Sequence, residues 1–418
     1  MICRIVQAFL SLLVGTISAR YLGPSNYGLI NYATSIVAFM VPIVQLGLRH
    51  ILVQEIINNP EREGKTLGTS LLLSFFASLL GIIGVIVFSL VANRNEMDTI
   101  IVCTLTSISL IFQCLEMIQY WFQAKLLSKY VAIVSLFAYI ITSSYKIFLL
   151  VTQQSVRWFA LSYALDFCVI SLLLYVLYRR LGTQKLEVSF SVAKQLLSKS
   201  RYYIISGVMV TLFSYTDHVM LTIMHSENEN GIYSAAFACA SILSFVYAAI
   251  IDSVRPAIFE AKKYDQSKFE KNVIRLYSLI FCLGFLQSFV FTFISPYIVS
   301  FLYGEQYTSA ISVLRILTWY TAFSYTGTVR NIWILAEGKQ KVIWKINLFG
   351  AALNIIGNAV LIPIIGAEGA AIASVATQFF TNFVISFWFP TLRKNGLLML
   401  RSLHPRNIKE MVLMIRKR

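Results

Sequence analysis

Of the ionisable residues inside or at the ends of long apolar runs, seven could do chemistry: Arg20, Arg49, Lys146, Asp166, Asp217, His218 and Arg315. A charge at the centre of a bilayer costs about 2.5–3.5 kcal/mol on insertion scales, so each such residue is a candidate for function. Asp217 and His218 are adjacent, and an imidazole titrates near neutrality, so the pair could pass a proton. Neither side chain is long enough to reach water from deep in a span. A role in the translocation path or its coupling is expected for both, and for Asp166; an interhelical hydrogen bond is the structural alternative. Lys146 and Arg315 lie near span ends, where they could hold an anionic cargo or simply snorkel to headgroups. Arg20 ends the first apolar run and Arg49 the second. Guanidinium groups there would suit a phosphate, which they grip with paired hydrogen bonds. Ordinary flanking arginines would have the same spacing.

The elements that must position these groups are legible in the composition. Of 418 residues, 57% are hydrophobic and 13% charged, with a mean hydropathy of +0.71. Soluble domains carry about 25% charged residues. Twelve apolar runs are long enough to cross a bilayer as helices: 2–19, 28–48, 67–92, 99–118, 130–151, 158–178, 202–224, 231–251, 276–302, 310–332, 342–363 and 367–390. None alternates in the manner of a barrel strand. The expected class is an all-α polytopic membrane protein of about twelve transmembrane helices. The first run is the shortest and carries Arg4, which leaves room for a start upstream of Met1. Between the first two runs, Leu22 to Gly28 reads as a tight turn.

Charge sets the orientation. With the N-terminus cytoplasmic, only Arg20, Arg94 and Arg157 fall outside, and Lys146, Arg315 and Arg330 fall within spans, leaving 29 of 35 basic residues inside. This asymmetry places both termini in the cytoplasm. It also explains the net charge of +16 without nucleic acid. The basic tail (Arg393, Lys394, Arg401, Arg406, Lys409, Arg416 to Arg418) is expected on anionic headgroups. Trp121, Trp158, Trp333, Trp344 and Trp388 fall near span ends, as interfacial anchors do.

The longest polar connection divides the chain in the middle. Residues 1–178 form an N-terminal six-helix lobe, 179–201 a cytoplasmic linker, 202–390 a C-terminal six-helix lobe and 391–418 a basic cytoplasmic tail. An even number of spans per half implies a parallel repeat about an axis along the membrane normal. Gly28-Leu-Ile-Asn-Tyr-Ala33 and Gly231-Ile-Tyr-Ser-Ala-Ala236 match at an offset of 203 residues, each opening the second helix of its half. Outer loops are too short to carry a catalytic domain, and no GxxxxGK[ST] phosphate loop is present. The six cysteines lie in apolar runs and form no CxxC, so free thiols are expected rather than a metal site. No cofactor and no catalytic residue is expected.

Several stretches resemble one family. Ala19-Arg-Tyr-Leu-Gly-Pro-Ser-Asn-Tyr-Gly-Leu-Ile30, Tyr120-Trp-Phe-Gln-Ala124, Tyr215-Thr-Asp-His-Val-Met-Leu221 with Gly231 to Ala236, Val313-Leu-Arg-Ile-Leu317, and Gly366-Ala-Glu-Gly-Ala-Ala-Ile-Ala373 are similar, in order, to segments of the polysaccharide-transporter family of O-antigen (Wzx-type) flippases. The resemblance implies the fold of the multidrug/oligosaccharidyl-lipid/polysaccharide exporter (MOP) superfamily, with two six-helix lobes in a V and a parallel pseudo-two-fold repeat. It implies transport of an undecaprenyl-diphosphate-linked oligosaccharide from the cytoplasmic to the outer leaflet of the bacterial inner membrane, by rocking of the lobes. The implied partners are that lipid-linked oligosaccharide, membrane lipids, and the polymerase and chain-length regulator of the same pathway. Related lipid II flippases share an arginine-lined cavity, and their Ala-Arg turn and second-helix arginines look like Arg20 and Arg49; their eighth-helix cavity arginine has no match here. Competing readings are a cation-coupled multidrug exporter of the same fold, a lipid II-type flippase and, more remotely, a membrane polymerase.

Overall fold

The computed structural model describes residues 2–94, 96–182 and 184–405, with side chains except at 2–6, 8, 9 and 50. Among the described residues the regular structure is entirely helical. In order, the helices are α1 (Ile2–Val44), α2 (Arg49–Asn58), α3 (Glu63–Ala92), α4 (Met97–Ser107), α5 (Ser109–Leu115), α6 (Ile118–Ala124), α7 (Ser128–Val151), α8 (Val156–Leu181) and α9 (Phe190–Met224). They continue as α10 (Glu227–Ala240), α11 (Ser244–Tyr264), α12 (Gln266–Leu302), α13 (Ala310–Ala336), α14 (Ile343–Phe379), a π-helical segment (Phe380–Val384), α15 (Ile385–Trp388) and α16 (Arg393–Ser402).

Eight helical stretches are long and apolar enough to span a membrane, and a ninth is α10 with α11, bent by 44°. Two of the stretches are each interrupted once. In α1, Gly23 takes φ 71° and ψ 170°, a conformation only glycine adopts without penalty, and Pro24 starts the next helix. The expected seven-residue turn is therefore a break at one residue. In α14, Ile365 and Gly366 leave helical geometry, with φ 52° at Gly366. The chain reverses there: Asn354 Nδ2 donates to Ser374 Oγ at 3.4 Å. Nearer the bend, a Cβ on Gly369 would lie 2.5 Å from the Leu361 carbonyl oxygen. Split at both breaks, and counted with α13, the described helices supply twelve rods of spanning length.

The buried face of α3 shows what solvent this fold expects. Ser70, Ser74 and Ser78 are fully buried, while Phe76, Leu80 and Ile83 are 56–69% exposed. Small residues inside and large apolar ones outside are the pattern of helices packed in lipid, where close backbone approach replaces hydrophobic burial.

The chain forms two compact units, residues 1–231 and 232–418. In the first, α9 packs along α1, with Gly207 against Pro42. Residues 190–201, read from sequence as linker, are the first turns of α9. The start of α10 crosses the second half of α1 without room for a single methyl group. A Cβ on Gly28 would fall 1.8 Å from the Glu227 carbonyl oxygen, and one on Gly231 would fall 1.8 Å from that of Pro24. Pro24 and Glu227, like Gly28 and Gly231, are 203 residues apart, so the repeat seen in sequence packs reciprocally on itself.

In the second unit, a core of Tyr277, Ile280, Phe281, Trp333, Ile346 and Met399 joins α12, α13, α14 and α16. The described start of the basic tail is α16, docked on α12 through Lys394 to Glu270 (2.8 Å) and Ser278 Oγ to the Ser402 carbonyl (2.7 Å). Arg406, Lys409 and Arg416 to Arg418 lie outside the described residues. Trp158, Trp344 and Trp388 are at least half exposed, as anchors should be. Trp121 and Trp333 correct the expectation: both are buried, Trp121 edge-on against Phe122 and Tyr178.

Candidate functional site

On the first unit, α7 and α8 bring Lys146 and Asp166 within electrostatic reach. Thr142 lies one turn from Lys146, on the same helix face, and donates from Oγ1 to Asp166 Oδ1 at 3.2 Å. Glu116, a residue the sequence reading passed over, lies in reach of Asp166 on one side and Arg49 on the other. It occupies a break between α5 and α6, where Glu116 N bonds the Gln113 carbonyl and Gln119 N bonds the Glu116 carbonyl in tighter, three-residue turns. Such irregularities let a side chain leave the packed face of a helix. Tyr163, about one turn before Asp166, also lies near both acids and near Tyr215 of α9.

Arg49, Glu116, Asp166 and Lys146 thus form a ladder in which two neighbouring acids are flanked by a cation at each end, contributed by four parts of one unit. All but the exposed Arg49 are half-buried. Opposed partners offset part of the cost of holding charge at membrane depth, and partial exposure leaves them open to a ligand. The signal for Glu116 was available: it is the one acid in the run 99–118.

Asp217 and His218 occupy a different place. His218 Nδ1 lies 2.8 Å from Asn230 Oδ1, and Asn230 Nδ2 donates to the Gly28 carbonyl at 2.8 Å. Because the amide nitrogen is committed as donor, Oδ1 accepts and Nδ1 carries the hydrogen. His218 is therefore wired into the glycine crossing. Asp217 beside it is 6% exposed. The crossing also holds Glu227, which accepts from Thr99 Oγ1 at 2.7 Å and from Ser25 Oγ at 3.5 Å.

The remaining arginines are not gathered together. Arg20 is exposed just before the Gly23 break, beside Tyr21, whose hydroxyl donates to the Gln154 carbonyl at 3.3 Å. Residues 24–44 of α1 separate Arg20 from Arg49, which at 1.5 Å per residue is about 30 Å. One diphosphate cannot bridge them. Arg315, on the second unit, donates from Nε to the Thr292 carbonyl and Ser295 Oγ, both at 3.2 Å, which ties it to α12. Arg330, passed over as a span residue, is 3% exposed in the same unit. The five cysteines with described side chains are free thiols.

A helix bundle carrying an internal repeat and a charge ladder at membrane depth narrows the comparison to transporters. Residues 17–312 match the model of the family described as polysaccharide biosynthesis protein. The chain belongs to that family. Among relatives of this family member, the capsular polysaccharide biosynthesis protein CapF of Staphylococcus aureus is 22% identical over 93% of the chain and 96% of its own length. The probable low-salt glycan biosynthesis flippase Agl15 of Haloferax volcanii is 24% identical over 49% of the chain. The chain matches under half the length of two curated relatives: 44% of Agl15, and 42% of an uncharacterized membrane protein of Methanocaldococcus jannaschii. Among solved structures, the lipid II flippase MurJ in an inward closed conformation aligns with a TM-score of 0.71 at 16% identity, over 96% of this chain and 90% of its own. An inward-facing multidrug resistance transporter of the MATE family aligns at 0.66 and 15% identity, over 96% and 99%. At such identities these structures establish the fold: this polysaccharide biosynthesis protein is a multi-pass membrane protein whose described residues take the all-helical fold of that flippase and that transporter.

Proposed function

We propose that the protein is a flippase that moves an undecaprenyl-diphosphate-linked oligosaccharide from the cytoplasmic to the outer leaflet of a bacterial inner membrane by alternating access, without covalent chemistry. The observation that carries this reading is the ladder Arg49–Glu116–Asp166–Lys146, exposed at Arg49 and half-buried from Glu116 to Lys146, in a chain whose relatives are named for glycan flipping and capsule synthesis. A diphosphate head cannot cross about 30 Å of hydrocarbon unaided; it needs cations held at depth, with carboxylates that release them in turn. In this reading Arg49 and Lys146 receive the anionic head, with Arg20 and Arg315 as contact points at other stages of the passage. Asp166, Asp217 and His218 couple the cycle to ion movement, the last two through the crossing. Both termini are cytoplasmic, and the cargo connects the protein to the polymerase and chain-length regulator of the same pathway.

A cation-coupled multidrug exporter is the second reading. The two acids Glu116 and Asp166 favour it, while the opposing Arg49 and Lys146 favour an anionic cargo. Deleting the gene and fractionating lipid-linked glycans separates the two. The flippase reading expects an intact lipid-linked oligosaccharide to accumulate on the cytoplasmic leaflet and to clear on re-expression. Unchanged glycan distribution with increased drug sensitivity would replace it with the exporter.

A further inference from the structure

Arg330 is the most deeply buried arginine with a described environment. Its Nη1 donates to the carbonyl of Thr381, in the π segment, and its Nη2 to Asn331 Oδ1 at 3.1 Å. A π turn loosens the regular ladder of helical hydrogen bonds, so Thr381 offers its carbonyl to a side chain. Neither acceptor carries a charge. Among the described residues no carboxylate pairs with Arg330, and Tyr277 is the one titratable group within its electrostatic reach. Its Nε is buried without an acceptor.

Tyr277 leads to a second donor. Its hydroxyl donates to Asn395 Oδ1 at 3.0 Å, which leaves Asn395 Nδ2, in a fully buried residue of α16, without an acceptor. Trp333, one turn after Arg330 on α13 and also fully buried, has an indole N–H in the same condition. Three buried groups in one core are thus donors, one of them on a cation. Buried donors require acceptors, and a buried cation requires negative charge. A water molecule could accept these hydrogen bonds but would leave the charge uncompensated. The residues are sealed from solvent, so the ligand must be small.

We propose that the second unit holds a small monovalent anion of the chloride class between Arg330 and Asn395, as a structural ligand tying α16 to α13 and the π segment. The role is separate from cargo transport. Anything that binds only the folded state stabilises it in proportion to its occupancy, so halide should act as a ligand of the fold.

The test uses the purified full chain, with thermal unfolding followed while sodium chloride replaces sodium gluconate at constant ionic strength. The midpoint should rise by several degrees and saturate, with bromide acting likewise. Asn395→Leu, which removes the amide donor, should raise the half-saturating chloride concentration at least tenfold, and Arg330→Gln should abolish the response. Crystals grown in bromide should show an anomalous peak within hydrogen-bonding distance of Arg330. This readout stands even if Arg330→Gln fails to fold. A wild-type midpoint indifferent to the choice of anion, an unchanged response in Asn395→Leu, or no bromide peak beside Arg330 would each overturn the proposal.

Discussion

The two units solve the problem of polar groups at membrane depth in opposite ways. In residues 1–231, opposite charges face one another with at least one side half-buried: exposed Arg49 with Glu116, and Asp166 with Lys146. In residues 232–418 buried neutral amides bond one another, Asn354 to Asn358 (3.3 Å) and Asn382 to Gln378 (2.5 Å), and the buried charge of Arg330 is turned toward a backbone carbonyl and a neutral amide. A half-buried pair can exchange partners with a ligand at little cost, because water replaces what each partner loses. A buried amide network cannot, since any unmatched donor there costs its full desolvation. The first arrangement suits a surface that handles cargo; the second suits a frame.

This contrast predicts where substitutions act. The largest effect is expected at Glu116. Glu116→Gln should lower transport per folded molecule at least about tenfold, roughly 1.4 kcal/mol in barrier, with abundance little changed. Asn358→Ala, in the second unit, should do the reverse, lowering stability by about 1–3 kcal/mol while the molecules that fold still transport. Equal loss of specific activity in both variants, measured at matched protein levels, would erase the distinction.

Next come the glycines of the crossing. Gly231→Ala pushes a methyl group to 1.8 Å from the Pro24 carbonyl oxygen, and overpacking of this kind costs about 1–3 kcal/mol. A fall in the unfolding midpoint is expected, and a similar fall for Gly28→Ala, because the contact is reciprocal. A neutral result at either position would show that the crossing is looser than its geometry.

Among cations, Arg49→Ala should impair export more than Arg20→Ala, and both more than Arg94→Ala, in cells expressing equal amounts. Arg49→Lys should rescue in part, since lysine keeps the charge but loses paired hydrogen bonding. Arg315→Ala is expected to be mild, because its Nε is already engaged by α12. An effect at Arg315 as large as at Arg49 would make the second unit an equal partner in holding the cargo.

The smallest effects belong to ion pairs at the ends of the helices. Lys125 bonds Glu63 at 2.6 Å, and Glu63 is 1% exposed. Removing the lysine takes the salt bridge from a buried carboxylate, but Lys125 is itself partly solvated, so Lys125→Met should cost about 2 kcal/mol rather than the full penalty of a buried pair. Lys65→Ala, breaking a 3.4 Å pair with Glu187 in which both partners are exposed, should cost under about 1 kcal/mol. Chemical denaturation of the two variants would rank them.

The spans were legible because lipid selects for uninterrupted apolar length, and the repeat was legible because its glycines are sterically required at both ends of one contact. The breaks were less so. Gly23 with Pro24 reads as a loop of several residues, yet a single glycine at positive φ suffices. Trp333 reads as an interfacial anchor because depth along a helix does not reveal which face is covered. Arg49, Asp166 and Lys146 could be flagged one by one as costly charges. Their assembly through Glu116 could not, since Glu116 lies 67 residues from Arg49 and 50 from Asp166, and only tertiary packing joins them. His218 beside Asp217 reads as a proton-exchange pair, but its bond to Asn230 at the α1–α10 crossing is something sequence spacing does not convey.

Reconstitution gives the most direct test of the central claim. The full chain, in vesicles loaded with a polyprenyl-diphosphate-linked oligosaccharide on one leaflet, should move the glycan to the other, where an added glycosidase can reach it. Glu116→Gln and Arg49→Ala vesicles should lag the wild type at least about tenfold, and Asn358→Ala vesicles should keep pace per folded molecule. A glycan that stays on its original leaflet with wild-type protein, under a proton or sodium gradient of either sign, would contradict the account.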